Sequence, residues 1–410
     1  MTTSDEPHPD RRLTPRPLPA HLASATLLWL TSRAALTNLP NGLPPSNTAD
    51  RRLQAVAADL ARLDPERVAA ALDRELRRRG GAFLGGLEAY RRHPFRRATA
   101  EAPVIWQRGA ARLLDYGRGD GSPAVMIVPS LINRHYILDL VPERSFVHHL
   151  AAAGLRPLVL DWGEPGPDER GFTLSDYITG PLDEAAAVAV SLVGRPIALC
   201  GYCMGGVLAL ALAARRPADT VCLALLATPW DFHAEQPAQA GILAALTQFL
   251  PLFVGDGEAV PVSVIQSLFV ALDPFLAERK FIRFARLDPA GGAARDFVAL
   301  EDWINDGVPL ARKVALECAQ SWYRDNDPAQ GRWQVAGRPV RPQEIAAPTL
   351  VVLPSRDRIV PPASAEPLAS AVTQADVLRP PLGHIGMMAS AEAPRLVWQP
   401  IASWLRAQLG

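Results

Sequence analysis

Ile197-Ala198-Leu199-Cys200-Gly201-Tyr202-Cys203-Met204-Gly205-Gly206 decides the reading of this chain: a strand-like apolar run passes through a Gly-x-Cys-x-Gly-Gly turn into an Ala/Leu-rich helix. A strand-to-helix turn this sharp strains its central residue, and side chains two positions to either side collide unless they are glycines. Gly201 and Gly205 fill those positions. The helix start beneath the turn offers a positive dipole end and unpaired N–H groups, which favour a thiolate and stabilise an oxyanion. Cys203 therefore reads as a nucleophile, although the pattern is also that of a Gly-rich strand-helix junction with a buried thiol.

An elbow of this kind takes its partners in the chain order nucleophile, acid, histidine. Asp357 follows the apolar run 349–353, in Pro354-Ser355-Arg356-Asp357-Arg358-Ile359-Val360-Pro361, and His384 follows the next run, in Pro381-Leu382-Gly383-His384-Ile385. Both are expected on loops after strands. Asp231 is the competing acid, and it also reads as a turn residue. His8 and His21 lie near the polar start, while His93, His148 and His149 lie before or within expected helices, so His384 is the best base.

Outward from the elbow, short β-branched runs at 124–128, 157–160, 197–200, 221–226, 349–353 and 375–378 alternate with helical patterns at 143–153, 174–192, 204–215, 363–372 and 393–409. This alternation predicts a mostly parallel sheet covered on both faces. About 115 residues, 231–345, break the rhythm and read as a cap inserted over the carboxyl ends of the strands. The expected organisation is a helical N-terminal extension (1–100), a first core part (101–230), the cap (231–345) and a second core part (346–410).

A chain of 410 residues with 49% apolar content supports a large core, and 42 basic against 42 acidic residues leave no footprint for nucleic acid or an anionic membrane. The Arg91, Arg92, Arg96 and Arg97 group reads as a solvated helix face. Cys200, Cys203, Cys222 and Cys318 are too few for a disulfide framework and match no zinc spacing, so reduced thiols and no metal are expected. Asp5, Glu6 and Asp10 with nearby prolines do not resemble a signal peptide. The apolar stretches 22–30 and 241–254 fall short of the ~20 residues of a spanning helix, so no transmembrane segment is expected.

Several separated motifs resemble the polyhydroxyalkanoate synthase family, most closely the catalytic subunit of its two-subunit class. They are Leu131-Ile132-Asn133-Arg134-His135-Tyr136-Ile137-Leu138-Asp139-Leu140, Leu160-Asp161-Trp162-Gly163-Glu164-Pro165, Thr173-Leu174-Ser175-Asp176-Tyr177-Ile178, the cysteine-bearing elbow, Ala227-Thr228-Pro229-Trp230-Asp231-Phe232, and the segments holding Asp357 and His384. The resemblance implies an α/β-hydrolase fold, Cys203 as nucleophile, His384 as general base, Asp357 as its partner, and an oxyanion hole from the Met204 and Leu131 amides. It implies (R)-3-hydroxyacyl-CoA as substrate with no separate cofactor, a growing polyester as acceptor, and a cytoplasmic enzyme at a granule surface. A homodimer and a second synthase subunit are the partners it suggests.

The family's Asp-His pair is here Asp357-Arg358, and Asp302-Trp303-Ile304-Asn305-Asp306 follows its pattern only loosely. A thioesterase or intracellular depolymerase using the same triad is therefore the alternative activity. A granule-associated or regulatory homologue whose N-terminal helices bind a partner is the non-enzymatic alternative.

Overall fold

A computed structural model describes residues 12, 15–38, 55, 58–60, 62–98, 102–117, 119, 121–234, 241, 245, 254 and 259–410. The chain divides into two compact units, Met1–Arg96 with Gln266–Asn305, and Arg97–Ile265 with Asp306–Gly410. The stretch 231–345, expected as one cap, is thus shared between the two, and the apolar stretch 241–254 lies outside the described residues apart from three positions.

The larger unit is built on eight strands: β1 (Val104–Arg108), β2 (Ala111–Asp115), β3 (Ala124–Val128), β4 (Arg156–Asp161), β5 (Ile197–Tyr202), β6 (Thr220–Leu226), β7 (Thr349–Val352) and β8 (Ala375–Leu378). Their order is β1-β2-β4-β3-β5-β6-β7-β8, parallel from β4 to β8 and antiparallel where β2 meets β1 and β4. Every residue of β3, β5 and β7 is buried, as expected of parallel strands packed on both faces. The helix Met204–Arg215 buries ten successive residues, Met204 to Ala213, which suits its Ala/Leu composition.

The six predicted strands are present within two residues at either end. The β1–β2 pair lies outside the sequence expectation, because β1 is partly exposed and its residues, such as Gln107 and Arg108, form no apolar run. The predicted helix 174–192 is observed with a break, because Gly180 leaves helical geometry ahead of Pro181 before Asp183–Val193 resumes. Gly194 ends it in the left-handed conformation at φ 64°.

The smaller unit is helical, with Leu18–Asn38, Pro65–Arg92, Leu276–Phe284 and Gly292–Asn305. Phe83, Tyr90, Phe281, Phe284 and Val298 form its core. The Pro65–Arg92 helix starts on an Asp64 cap that accepts from the Glu66 amide at 3.0 Å. Gly86 lets this helix touch the backbone of Phe281, whose carbonyl oxygen would lie 2.1 Å from any added Cβ. No helix among the described residues is long and apolar enough to cross a membrane.

Candidate active site

Cys203 sits where β5 turns into the Met204–Arg215 helix, at φ 57° and ψ −128°, a backbone conformation costing about 1–3 kcal/mol for a residue with a Cβ. The surrounding hydrogen bonds hold it there: its N–H donates to Leu226 O at 2.8 Å and its carbonyl accepts from the Gly206 amide at 2.9 Å. The glycines are required by space. A Cβ on Gly201 would lie 2.4 Å from Gly206 Cα, and one on Gly205 would lie 2.0 Å from Val128 O and 2.5 Å from Pro129 O. That second contact presses the helix start against the end of β3 and Pro129, the latter two residues before Leu131.

Met204 opens the helix, so its amide is one of the first-turn N–H groups with no carbonyl a turn earlier. The loop carrying Leu131 is pinned by Trp162 Nε1, which donates to Pro129 O at 2.9 Å, and by Val308, which donates to Ile132 O at 3.3 Å. Asn133 bridges to Gly307 in the same region.

His384 and Asp357 meet on the loops after β8 and β7. His384 Nδ1 donates to Asp357 Oδ2 at 2.6 Å, while Asp357 Oδ1 accepts from the Ile359 and Val360 amides at 2.8 and 2.9 Å. The carboxylate is thereby fixed by three donors. Burial, the largest influence on His384, pushes its imidazole down; the Cys203 charge, hydrogen bonds with Asp357 and Cys203, and the Asp357 charge outweigh it and push it up to about 10. Cys203 and Asp357 thus act on one ring from the two residues that the sequence reading pairs with it.

The rival acid Asp231 meets no histidine side chain among the described residues. Its Oδ1 accepts from Asn326 Nδ2 at 2.9 Å and from the His233 amide at 2.9 Å, which makes it a turn anchor. Among the other thiols, burial raises Cys200 and Cys318 well above the ordinary thiol range and pushes Cys222 up to about 12.

Two features of the site lie outside the sequence expectation. Tyr202, immediately before Cys203, stacks on His384 with ring centroids 5.2 Å apart and donates from its hydroxyl to His384 O at 3.1 Å. Its position beside Cys203 in the elbow was the available signal. An aromatic wall also packs into the apolar body that Cys203 joins: Phe232 lies 5.3 Å from Trp322 and 5.1 Å from Tyr323, and Trp322 lies 5.7 Å from Trp333. Only the tryptophan content of 231–345 hinted at it.

The model of the alpha/beta hydrolase fold matches residues 123–391. Poly(3-hydroxyalkanoate) polymerase subunit PhaC of Synechocystis sp. is 30% identical over 292 residues, which is 68% of this chain and 77% of that one. The chain belongs to the poly(3-hydroxyalkanoate) polymerase family. PhaC of Haloferax mediterranei is 29% identical over 73% of this chain, which spans only 63% of that relative's length. Among solved structures, one described as a non-heme bromoperoxidase BpoC from Mycobacterium tuberculosis aligns with a TM-score of 0.50 at 20% identity, covering 76% of this chain and 100% of that one, a likeness of fold alone.

Within this polymerase-family framework, the motif segments around the elbow are joined by polar contacts. Asp161 lies 3.1 Å from His135 Nδ1 and 2.7 Å from Arg112 Nη2. Burial pushes its carboxyl up, but His135, Arg112 and the Gly163 amide hold it well below the usual carboxylate range. Arg134 pairs with Glu164 and lies 3.5 Å from Asp306. Arg358, which follows Asp357 where the family resemblance leads one to expect a histidine, is exposed.

Proposed function

We propose that this chain transfers (R)-3-hydroxyacyl groups from CoA thioesters to a growing polyester through a covalent thioester on Cys203. The observation that carries the reading is the buried His384–Asp357 pair, 2.6 Å apart, whose imidazole also responds to the charge of Cys203 at the elbow. Attack of the Cys203 thiolate on an acyl-CoA carbonyl forms the new C–S bond and expels CoA thiolate, which takes up the proton held on His384. One thioester replaces another at little net cost. The Met204 and Leu131 amides would stabilise the tetrahedral oxyanion, at about 3 kcal/mol per donor.

Acylation abolishes the Cys203 charge, which is the largest influence raising His384. Burial then pulls the imidazole down, and the same ring becomes a base able to take the proton of an incoming 3-hydroxyl. Attack of that hydroxyl forms the ester, breaks the Cys203 thioester and returns the proton to the site. The aromatic wall of Phe232, Trp322, Tyr323 and Trp333 favours transfer over hydrolysis by limiting water. These steps use only side chains, amides and the substrate, with no cofactor. Carried over from the family, the setting is the cytoplasmic surface of a polyester granule, with a homodimer and a second synthase subunit as partners.

The test is CoA release from 3-hydroxybutyryl-CoA by the purified chain and by Cys203→Ala, with products separated into free acid and polymer. Cys203-dependent polymer is the expected result. Cys203-dependent free acid alone would replace the reading with a thioesterase or depolymerase, and release unaffected by Cys203→Ala would remove the nucleophile.

A further inference from the structure

Within the helical unit, a cleft of about 400 Å³ is lined by the helices Leu18–Asn38, Pro65–Arg92 and Leu276–Phe284 and the residues flanking the last of them. Leu28, Phe275 and Ile282 give it an apolar lining, and Arg78, Arg79, Arg279 and Arg286 make it basic. Glu278 is also in the lining; it is 5% exposed, and its Oε1 is buried without a hydrogen-bond partner.

The arginines retain donors for a ligand. Each guanidinium has five N–H groups. Glu75 occupies two nitrogens of Arg78 and one of Arg79, Asp273 pairs with one of Arg279, and Arg286 makes no ion pair among the described residues. Such forks fit phosphate oxygens, and the buried Glu278 acceptor calls for a hydroxyl donor beside them. Leu27 and Leu276, next in the chain to Leu28 and Phe275, are 63% and 50% exposed. A soluble phosphate ester would leave those leucines in water, whereas a lipid surface would cover them.

We propose that this cleft receives the headgroup of an anionic phospholipid bearing a free hydroxyl, with phosphate on the arginines, hydroxyl on Glu278 and the flanking leucines against the lipid. The acyl-transfer reading above is not needed for it. The full chain should co-sediment with phosphatidylcholine vesicles containing phosphatidylglycerol and not with phosphatidylcholine alone. Each arginine near an anionic surface is worth about fivefold in partition, so Arg279→Gln with Arg286→Gln should weaken binding about 30-fold and Arg79→Gln, on a different helix, about fivefold. Far-ultraviolet circular dichroism should be unchanged in both variants. Equal sedimentation with both vesicles, or undiminished binding by folded variants, would overturn the proposal. Saturable binding of glycerol 3-phosphate in equilibrium dialysis without vesicle binding would overturn the lipid assignment and make the cleft a site for a soluble phosphate ester.

Discussion

His384 Nδ1 donates to Asp357 Oδ2 across 2.6 Å, and the two side chains are only 7% and 0% exposed. Water therefore cannot substitute for either partner. In Asp357→Asn the amide oxygen still accepts from Ile359 and Val360, but the NH₂ faces the ring and forces the proton onto Nε2. The turnover number for CoA release should fall about 10⁴-fold with little change in the melting temperature. A loss below tenfold would remove Asp357 from the catalytic set.

Titration of His384 should expose its dependence on Cys203. In the wild-type chain the imidazole keeps its proton to about pH 10, against 6.5 for an unperturbed histidine. Because the folded value is the higher one, this group's stabilisation is whole below pH 6.5 and disappears as pH rises through about 10. In Cys203→Ala burial remains while the largest raising influence is gone, so the imidazole resonance in NMR should titrate far lower. A midpoint still near 10 would show that Cys203 does not act on the ring.

Gly205→Ala should not be tolerated. Its Cβ would meet two backbone oxygens, at 2.0 and 2.5 Å, and backbone cannot swing aside as a flexible side chain can. Loss of stability should reach about 4 kcal/mol or more in urea unfolding, or leave the chain insoluble. Gly85, exposed on the Pro65–Arg92 helix with no described atom within 4 Å of an added Cβ, provides the contrasting site, where alanine should be neutral to stabilising.

Opening the aromatic wall should alter the fate of the acyl group more than its loading. Phe232→Ala removes the ring that touches both Trp322 and Tyr323. The share of product appearing as free 3-hydroxy acid should rise severalfold, while single-turnover CoA release changes less. An unchanged product ratio would show that this ring does not exclude water from the acyl-enzyme.

Tyr202→Phe separates the two contacts that Tyr202 makes with His384. The stacking survives and the 3.1 Å bond to the His384 carbonyl is lost, which should cost about 1 kcal/mol of stability and reduce turnover a few fold. Tyr202→Ala should cost far more on both measures.

What the sequence discloses follows how directly each feature is dictated by local chemistry. The buried parallel strands are continuous apolar runs, and Gly201 and Gly205 have no steric substitute, so the sheet and its elbow are legible. Asp357 and His384 are 27 residues apart and find each other through loop position after consecutive strands. β1 is largely exposed and β2, though mostly buried, is only five residues long, so the pair lacks that contrast. The Tyr202–His384 stack and the Phe232 wall depend on tertiary approach across 182 and about 90 residues, which no local period encodes. The grouping of 266–305 with the N-terminal helices likewise rests on long-range packing, such as Phe281 against Gly86.

The φ of 57° at Cys203 carries a consequence for how this chain can be improved. Cys203→Gly would relieve the backbone and raise thermal stability, while Cys203→Ser would retain the strain. A library sorted for robustness alone would therefore drift toward losing Cys203, and any stabilised descendant has to be selected with turnover as a second criterion.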